Sequence, residues 1–153
     1  MTTIEQSVEV DVPVRTAYDQ WTQFESFPSF MEGVESVKQV DDTHLHWTAE
    51  IAGVRREWDS EITEQSPDQR IAWKATGGTQ NDGVVTFHRL DDRHAKVMLQ
   101  LDFDPEGFVE KAGDALGVVR SRTKGDLERF KDFIEQRGRE TGAWRGSINA
   151  PHA

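Results

Sequence analysis

Few residues of this chain combine a reactive type with a useful spacing. It contains five histidines, one tyrosine and no cysteine. The missing cysteines exclude disulfides, thiolate metal ligands and Cys nucleophiles together. His44, His46, His88, His94 and His152 fit no zinc spacing, and no metal or cofactor is expected. His44 and His46 share a strand face, but it is the face opposite Trp47, so they read as a solvated pair. Ser60 has no histidine in its own stretch to activate it as a nucleophile. Gly77-Gly78 lies between two strand-like runs, which makes it a turn and not a phosphate cradle.

Arg56 is the residue that stands out. Its parity places it with Val54 and Trp58 on an apolar strand face, where an unpaired charge is costly. One reading is an anchor, a guanidinium offering its planar fork of donors to a carboxylate, enolate or carbonyl oxygen of a ligand. The other is an arginine near the start of its strand that snorkels to a rim or pairs with an acid. Trp47, Trp58 and Trp73 share that parity on three successive strands, as a lateral row that either walls a pocket for a flat ligand or fills the core. Phe27, Phe30 and Met31 suit either a lid over an entrance or a hydrophobic plug. Phe87, Leu99, Leu101 and Leu116 complete the residues expected to face inward.

The elements that position these residues follow from periodicity. Thr3 to Val12 alternates as a strand, and Asp11-Val12-Pro13 stops it. Asp11 is a good helix N-cap and Pro13 suits the first turn of a helix reaching about Thr22. Val14, Ala17, Tyr18 and Trp21 form its apolar face. The aromatic stretch Phe24 to Met31, broken by Pro28, predicts a second short helix or turn packed on the core. Six strands are expected over 34–40, 44–51, 54–65, 70–76, 83–90 and 95–103, with spacers short enough for an antiparallel meander. The face formed by His44, His46, Thr48, Glu50, Arg55, Glu57, Asp59 and Glu61 reads as solvated.

Val109, Ala112, Leu116, Val119, Thr123, Leu127, Phe130 and Ile134 then mark one face of a helix of about eight turns. Gly113 and Gly117 within it each cost about 1 kcal/mol relative to alanine, and both widening of a cavity and plain packing would account for them. Arg120, Arg122 and Lys124 read as a solvated basic face. Residues 1–138 thus form one domain, and 139–153 an irregular tail that reads as loosely attached. A curved sheet with one apolar face needs a cover, which the C-terminal helix supplies.

At 153 residues the chain is one domain's length. Its 28 acids against 18 Lys and Arg give a net charge of −10, so an affinity for nucleic acid has no electrostatic support. No apolar run suits a membrane span, and MTTIEQSVEVDV lacks the basic and apolar segments of a signal peptide. A cytoplasmic location is expected; oligomeric state is not legible.

This order of elements resembles the START-like, or helix-grip (SRPBCC), superfamily, and within it the polyketide cyclase/dehydrase and coenzyme-Q-binding START group. Carrying the resemblance are Val12-Pro13, Trp21, Phe27-Pro28-Ser29-Phe30-Met31-Glu32-Gly33-Val34, Glu57-Trp58, Pro67 to Trp73, Gly83 to Phe87 and Asp126 to Lys131. The resemblance implies an α+β helix-grip fold, β-α-α-β6-α, whose curved antiparallel sheet of about seven strands wraps a long C-terminal helix. It implies a cavity between sheet and helix for an apolar partner such as a lipid, quinone or polyketide. Members of the group either carry such a ligand or catalyse cyclisation and dehydration. An aromatase/cyclase needs a poised acid or base inside, and the inward-facing polar residues are only Arg56, Ser60, Thr123 and Tyr18. Binding is therefore the leading expectation, with cyclase or dehydratase activity and a ligand-free scaffold or stress role as alternatives.

Overall fold

Alternation of apolar and polar side chains, sustained over seven segments, builds one antiparallel sheet. The computed structural model describes residues 2–51, 54–78, 81–103 and 115–148. The strands are β1 (Thr2–Val10), β2 (Val34–Gln39), β3 (His44–Ile51), β4 (Val54–Ser66), β5 (Arg70–Gly78), β6 (Asn81–Asp91) and β7 (His94–Phe103). Their spatial order is β1-β7-β6-β5-β4-β3-β2, a meander whose last strand returns to pair with the first. Helix α1 (Val14–Trp21) and a 3-10 helix (Phe24–Ser29) join β1 to β2, and helix α2 (Ala115–Arg137) follows β7. This is the helix-grip architecture expected above.

The inward positions pack as their parity requires. Val10, Leu45, Ile62, Ile71, Val85, Phe87, Val97 and Leu99 are buried in one core with Leu127, Phe130 and Ile134 of α2. Trp21 is the hub where the helices meet, with its ring edge-on to Phe27 at 5.5 Å and to Phe130 at 5.0 Å. Such edge-to-face pairs add about 1 kcal/mol each beyond the area they bury.

Several local expectations give way. Pro13, not Asp11, occupies the N-cap of α1 and no side chain caps that helix. Asp11 instead donates its backbone N–H to Glu135 of α2 at 2.8 Å, tying the two ends of the fold together. Thr48 is buried although its face was read as solvated, and its hydroxyl lies 3.5 Å from Glu57. Helix α2 has 23 described residues, about six turns. Val109, Ala112 and Gly113 lie outside the described residues, and Gly117 is exposed, so it opens no space toward the sheet.

Residues 139–148 of the tail are irregular but fastened to the domain at several points, where loose attachment is expected from the sequence. Arg145 donates to Asp19 at 2.5 Å and to Asp68 at 2.8 Å, and its guanidinium lies 5.6 Å from the Tyr18 ring centroid. Gln20 exchanges hydrogen bonds with Thr141, the Trp144 backbone N–H donates to the Thr22 hydroxyl, and Ile148 pairs with Gln65 of β4. Of these partners, Asp19, Gln20, Thr22 and Gln65 are polar residues that the domain buries, and Asp68 lies half-buried in the β4–β5 turn. Periodicity cannot reveal such an attachment, because each tail residue meets a partner more than 70 positions away.

Candidate functional site

Between the concave sheet face and α2 lies a cavity of about 130 Å³. Trp47 and Ala49 of β3, Trp58 and Ile62 of β4, and Ile71 and Trp73 of β5 form much of its wall, with Leu99 and Leu101 of β7. Trp21, Phe24, Phe27 and Met31 close it from α1, the 3-10 helix and the following turn, and Val119, Thr123 and Leu127 from α2. A cavity of roughly 150 Å³ with apolar walls holds one benzene ring. The described space is of that order.

The indoles are held by register and by hydrogen bonding. Trp47 and Trp58 are direct partners across β3 and β4, which stacks their rings 5.7 Å apart at 7°. The Trp47 N–H donates to Ser60 Oγ at 3.0 Å, which satisfies the polar edge of the ring. Trp73 pairs with Ile62, four residues along β4 from Trp58, so the expected lateral row of three is a stacked pair plus an offset third indole. Gly83 gives Trp73 its room, because a Cβ there would lie 2.7 Å from the indole Cζ2.

Polar groups gather at one end, where the turn after the 3-10 helix meets α2. Arg122 Nη1 donates to the main-chain oxygens of Glu32 at 2.9 Å and Glu50 at 3.2 Å. Asp126 accepts the Glu32 N–H at 3.0 Å and a hydrogen bond from Arg129 at 2.5 Å. Arg129 also donates to the Phe30 carbonyl and faces the Glu32 carboxylate at 3.4 Å. Gly33 is required here: its φ is +86°, and a Cβ would fall 2.0 Å from Arg122 Nη1 and 2.5 Å from the Glu50 oxygen.

Asp126 is the titratable group of this mouth. Burial pushes its carboxyl up to about 6, against the lowering pull of Arg129, the Glu32 N–H and Arg122. Thr123 is spent locally, its hydroxyl donating to Val119 of the same helix at 2.8 Å.

The structure brings Trp47, Trp58, Trp73, Leu99, Leu101, Phe27 and Met31 together on the cavity wall. Ser60 is buried behind that wall as the support of Trp47. Phe30 and Phe87 pack away from it, Phe30 against Phe130 and Phe133 and Phe87 against Tyr18. Arg56 is half-buried opposite Ala49, off the described wall, with a buried Nε that meets no hydrogen-bond partner among the described residues. Leu116 is in the first turn of α2, its side chain outside the described residues. Tyr18 lies at the tail end of the core, where burial pushes its hydroxyl up to about 12. His44 and His46 are held by Asp41 and Asp59 at 2.8 and 2.7 Å, and no group of metal-ligating side chains occurs among the described residues.

Sequence reasoning missed the mouth. Sequence alone places Arg122 on a solvated basic face with Arg120 and Lys124, and only those two are exposed. The available signal was spacing: Arg122 and Asp126 are four apart, flanking the buried stripe Val119-Thr123-Leu127, so both border the face that meets the cavity.

Comparison with known proteins bears on the fold and the family. The chain is 61% identical over 149 residues to an uncharacterised 17.2 kDa protein of Streptomyces lincolnensis, covering 97% of this chain and 99% of that one. Its fold is similar to that of the Zhui aromatase/cyclase of a Streptomyces species, with a TM-score of 0.76, 19% identity, and 94% and 99% of the two chains covered. A START superfamily protein of Mycobacterium smegmatis aligns with a TM-score of 0.70, 16% identity and coverage of 88% and 95%. Both likenesses are of fold. The family described as polyketide cyclase / dehydrase and lipid transport matches residues 10–132, and with the helix-grip sheet and its cavity in place the chain belongs to that family.

Proposed function

We propose that the chain binds an apolar small molecule, of the lipid, quinone or polyketide class, in the cavity between sheet and α2. The observation that carries this reading is a wall of four indoles and aliphatic side chains whose charged groups are confined to one end. The described space takes about one ring. Mass spectrometry of the intact, gently purified protein, followed by solvent extraction, tests the reading. A stoichiometric apolar compound supports it. A protein that yields none, and whose melting temperature is unmoved by a panel of such compounds, contradicts it and favours a scaffold role.

A second reading, a cyclase or dehydratase in the same cavity, is favoured by Asp126. A carboxyl that titrates near neutrality beside a guanidinium can give or take a proton during enolate chemistry. The fold shared with an aromatase/cyclase agrees with this without carrying it. Turnover of a poly-β-ketone that is lost in Asp126→Asn, with binding retained, would separate the enzyme from the carrier.

A further inference from the structure

We propose that Arg122 sets the chemical class of the ligand: its remaining guanidinium edge at the cavity mouth receives an anionic oxygen, carboxylate or phenolate, of an otherwise apolar molecule. The proposal rests on the cavity-binding reading and narrows it.

Arg122 is held in place, and no carboxylate among the described residues lies within ion-pair distance of it, although Asp126 feels its charge. Its Nη1 is held by the two main-chain oxygens of Glu32 and Glu50, which leaves Nη2 and Nε for a third partner. Among the described residues no carboxylate pairs with it, whereas Arg129 on the same helix meets both Asp126 and Glu32. A guanidinium bordering an apolar cavity is stabilised by an anion placed against its fork. Gly33, by lacking a Cβ, is what lets the guanidinium lie at the mouth at all.

The surrounding charges set how that site depends on pH. From α2 come Arg122 and Arg129, and from the turn before β2 comes Glu32; β3 contributes the Glu50 carbonyl. The nearby wall from β4, β5 and β7 is Trp58, Ile62, Trp73 and Leu101, with no charge. With Asp126 ionised, the two cations balance Glu32 and Asp126; with Asp126 protonated the cluster carries one net positive charge. An anion bound against Arg122 therefore favours the protonated form of Asp126, and binding takes up a proton.

The test uses 4-ethylbenzoate and its neutral isostere 4-ethylbenzamide, with affinity read from the indole fluorescence of the cavity wall and by calorimetry. The expected result at pH 6 is carboxylate binding about tenfold tighter than amide binding. Arg122→Gln removes that preference, lowering carboxylate affinity about tenfold and amide affinity by much less, and Arg122→Lys restores part of the preference. Carboxylate affinity falls about tenfold from pH 6 to pH 8 in the wild type and stays level in Asp126→Asn. Equal affinity for the two probes in the wild type overturns the proposal and leaves the cavity reading standing. Binding of neither probe at millimolar concentration overturns both.

Discussion

Two charged clusters, at opposite ends of the core, use the same residue types to different effect. At the tail, Arg145 spans Asp19 and Asp68, Arg15 lies 3.6 Å from Asp19, and the guanidinium sits over Tyr18. Asp19 is only 2% exposed, yet it is paired on both sides. At the cavity mouth, Arg129 is paired, Arg122 meets only carbonyls among the described residues, and Asp126 is raised by burial more than its cations lower it. The cluster whose arginine is paired with two carboxylates acts as a fastening, although burial raises Asp19 there as well. The incompletely paired one borders a cavity, the setting in which a perturbed group marks a candidate functional site.

Substitution of the two arginines should separate the clusters most sharply. Arg145→Met leaves Asp19 buried without its main partner and should cost about 2–3 kcal/mol in chemical denaturation. Arg122→Gln breaks no ion pair and should cost under about 1 kcal/mol. Equal losses would erase the distinction. Gly33→Ala should cost about 2 kcal/mol, because alanine must adopt a positive φ and the new methyl must displace either Arg122 or the β3 end. The same variant should lose the preference for a carboxylate probe.

Asp126 gives the next effect, and its sign is unusual for a carboxylate. Its native value of about 6 exceeds the ordinary 3.8, so the folded state holds the proton more tightly between those limits. Its contribution to stability therefore falls as pH rises from about 4 to about 6, and the penalty is complete above that. Asp126→Asn should flatten this window and gain up to about 2 kcal/mol on the wild type at pH 7.5, by denaturation across pH. Ser60→Ala should have the smallest effect, about 1 kcal/mol, by removing the acceptor of the Trp47 N–H. It should also change the wall fluorescence.

Much of this fold is legible in the sequence, because strand alternation and the stripe Val119, Thr123, Leu127, Phe130 and Ile134 are local patterns with fixed periods. The aromatic wall follows from the same parity. Register does not: bulges beside Ser60 and Ile62 in β4 set Trp73 opposite Ile62 and spoil a simple row. Nor does long-range pairing, so Arg145 reads as part of a loose tail and Arg122 as a surface charge until their partners on other elements are known. Arg56, the residue that parity singled out, lies beside the cavity and not on its described wall.

The most direct measurement is the carboxyl titration of Asp126 by carbon-detected NMR, free and saturated with 4-ethylbenzoate. The expected midpoint is near 6 in the free protein, rising by about one unit or more with the carboxylate and unmoved by the amide. A midpoint near the ordinary 3.8, or one that the carboxylate leaves in place, would contradict the claim that the cavity mouth is where an anionic ligand is read.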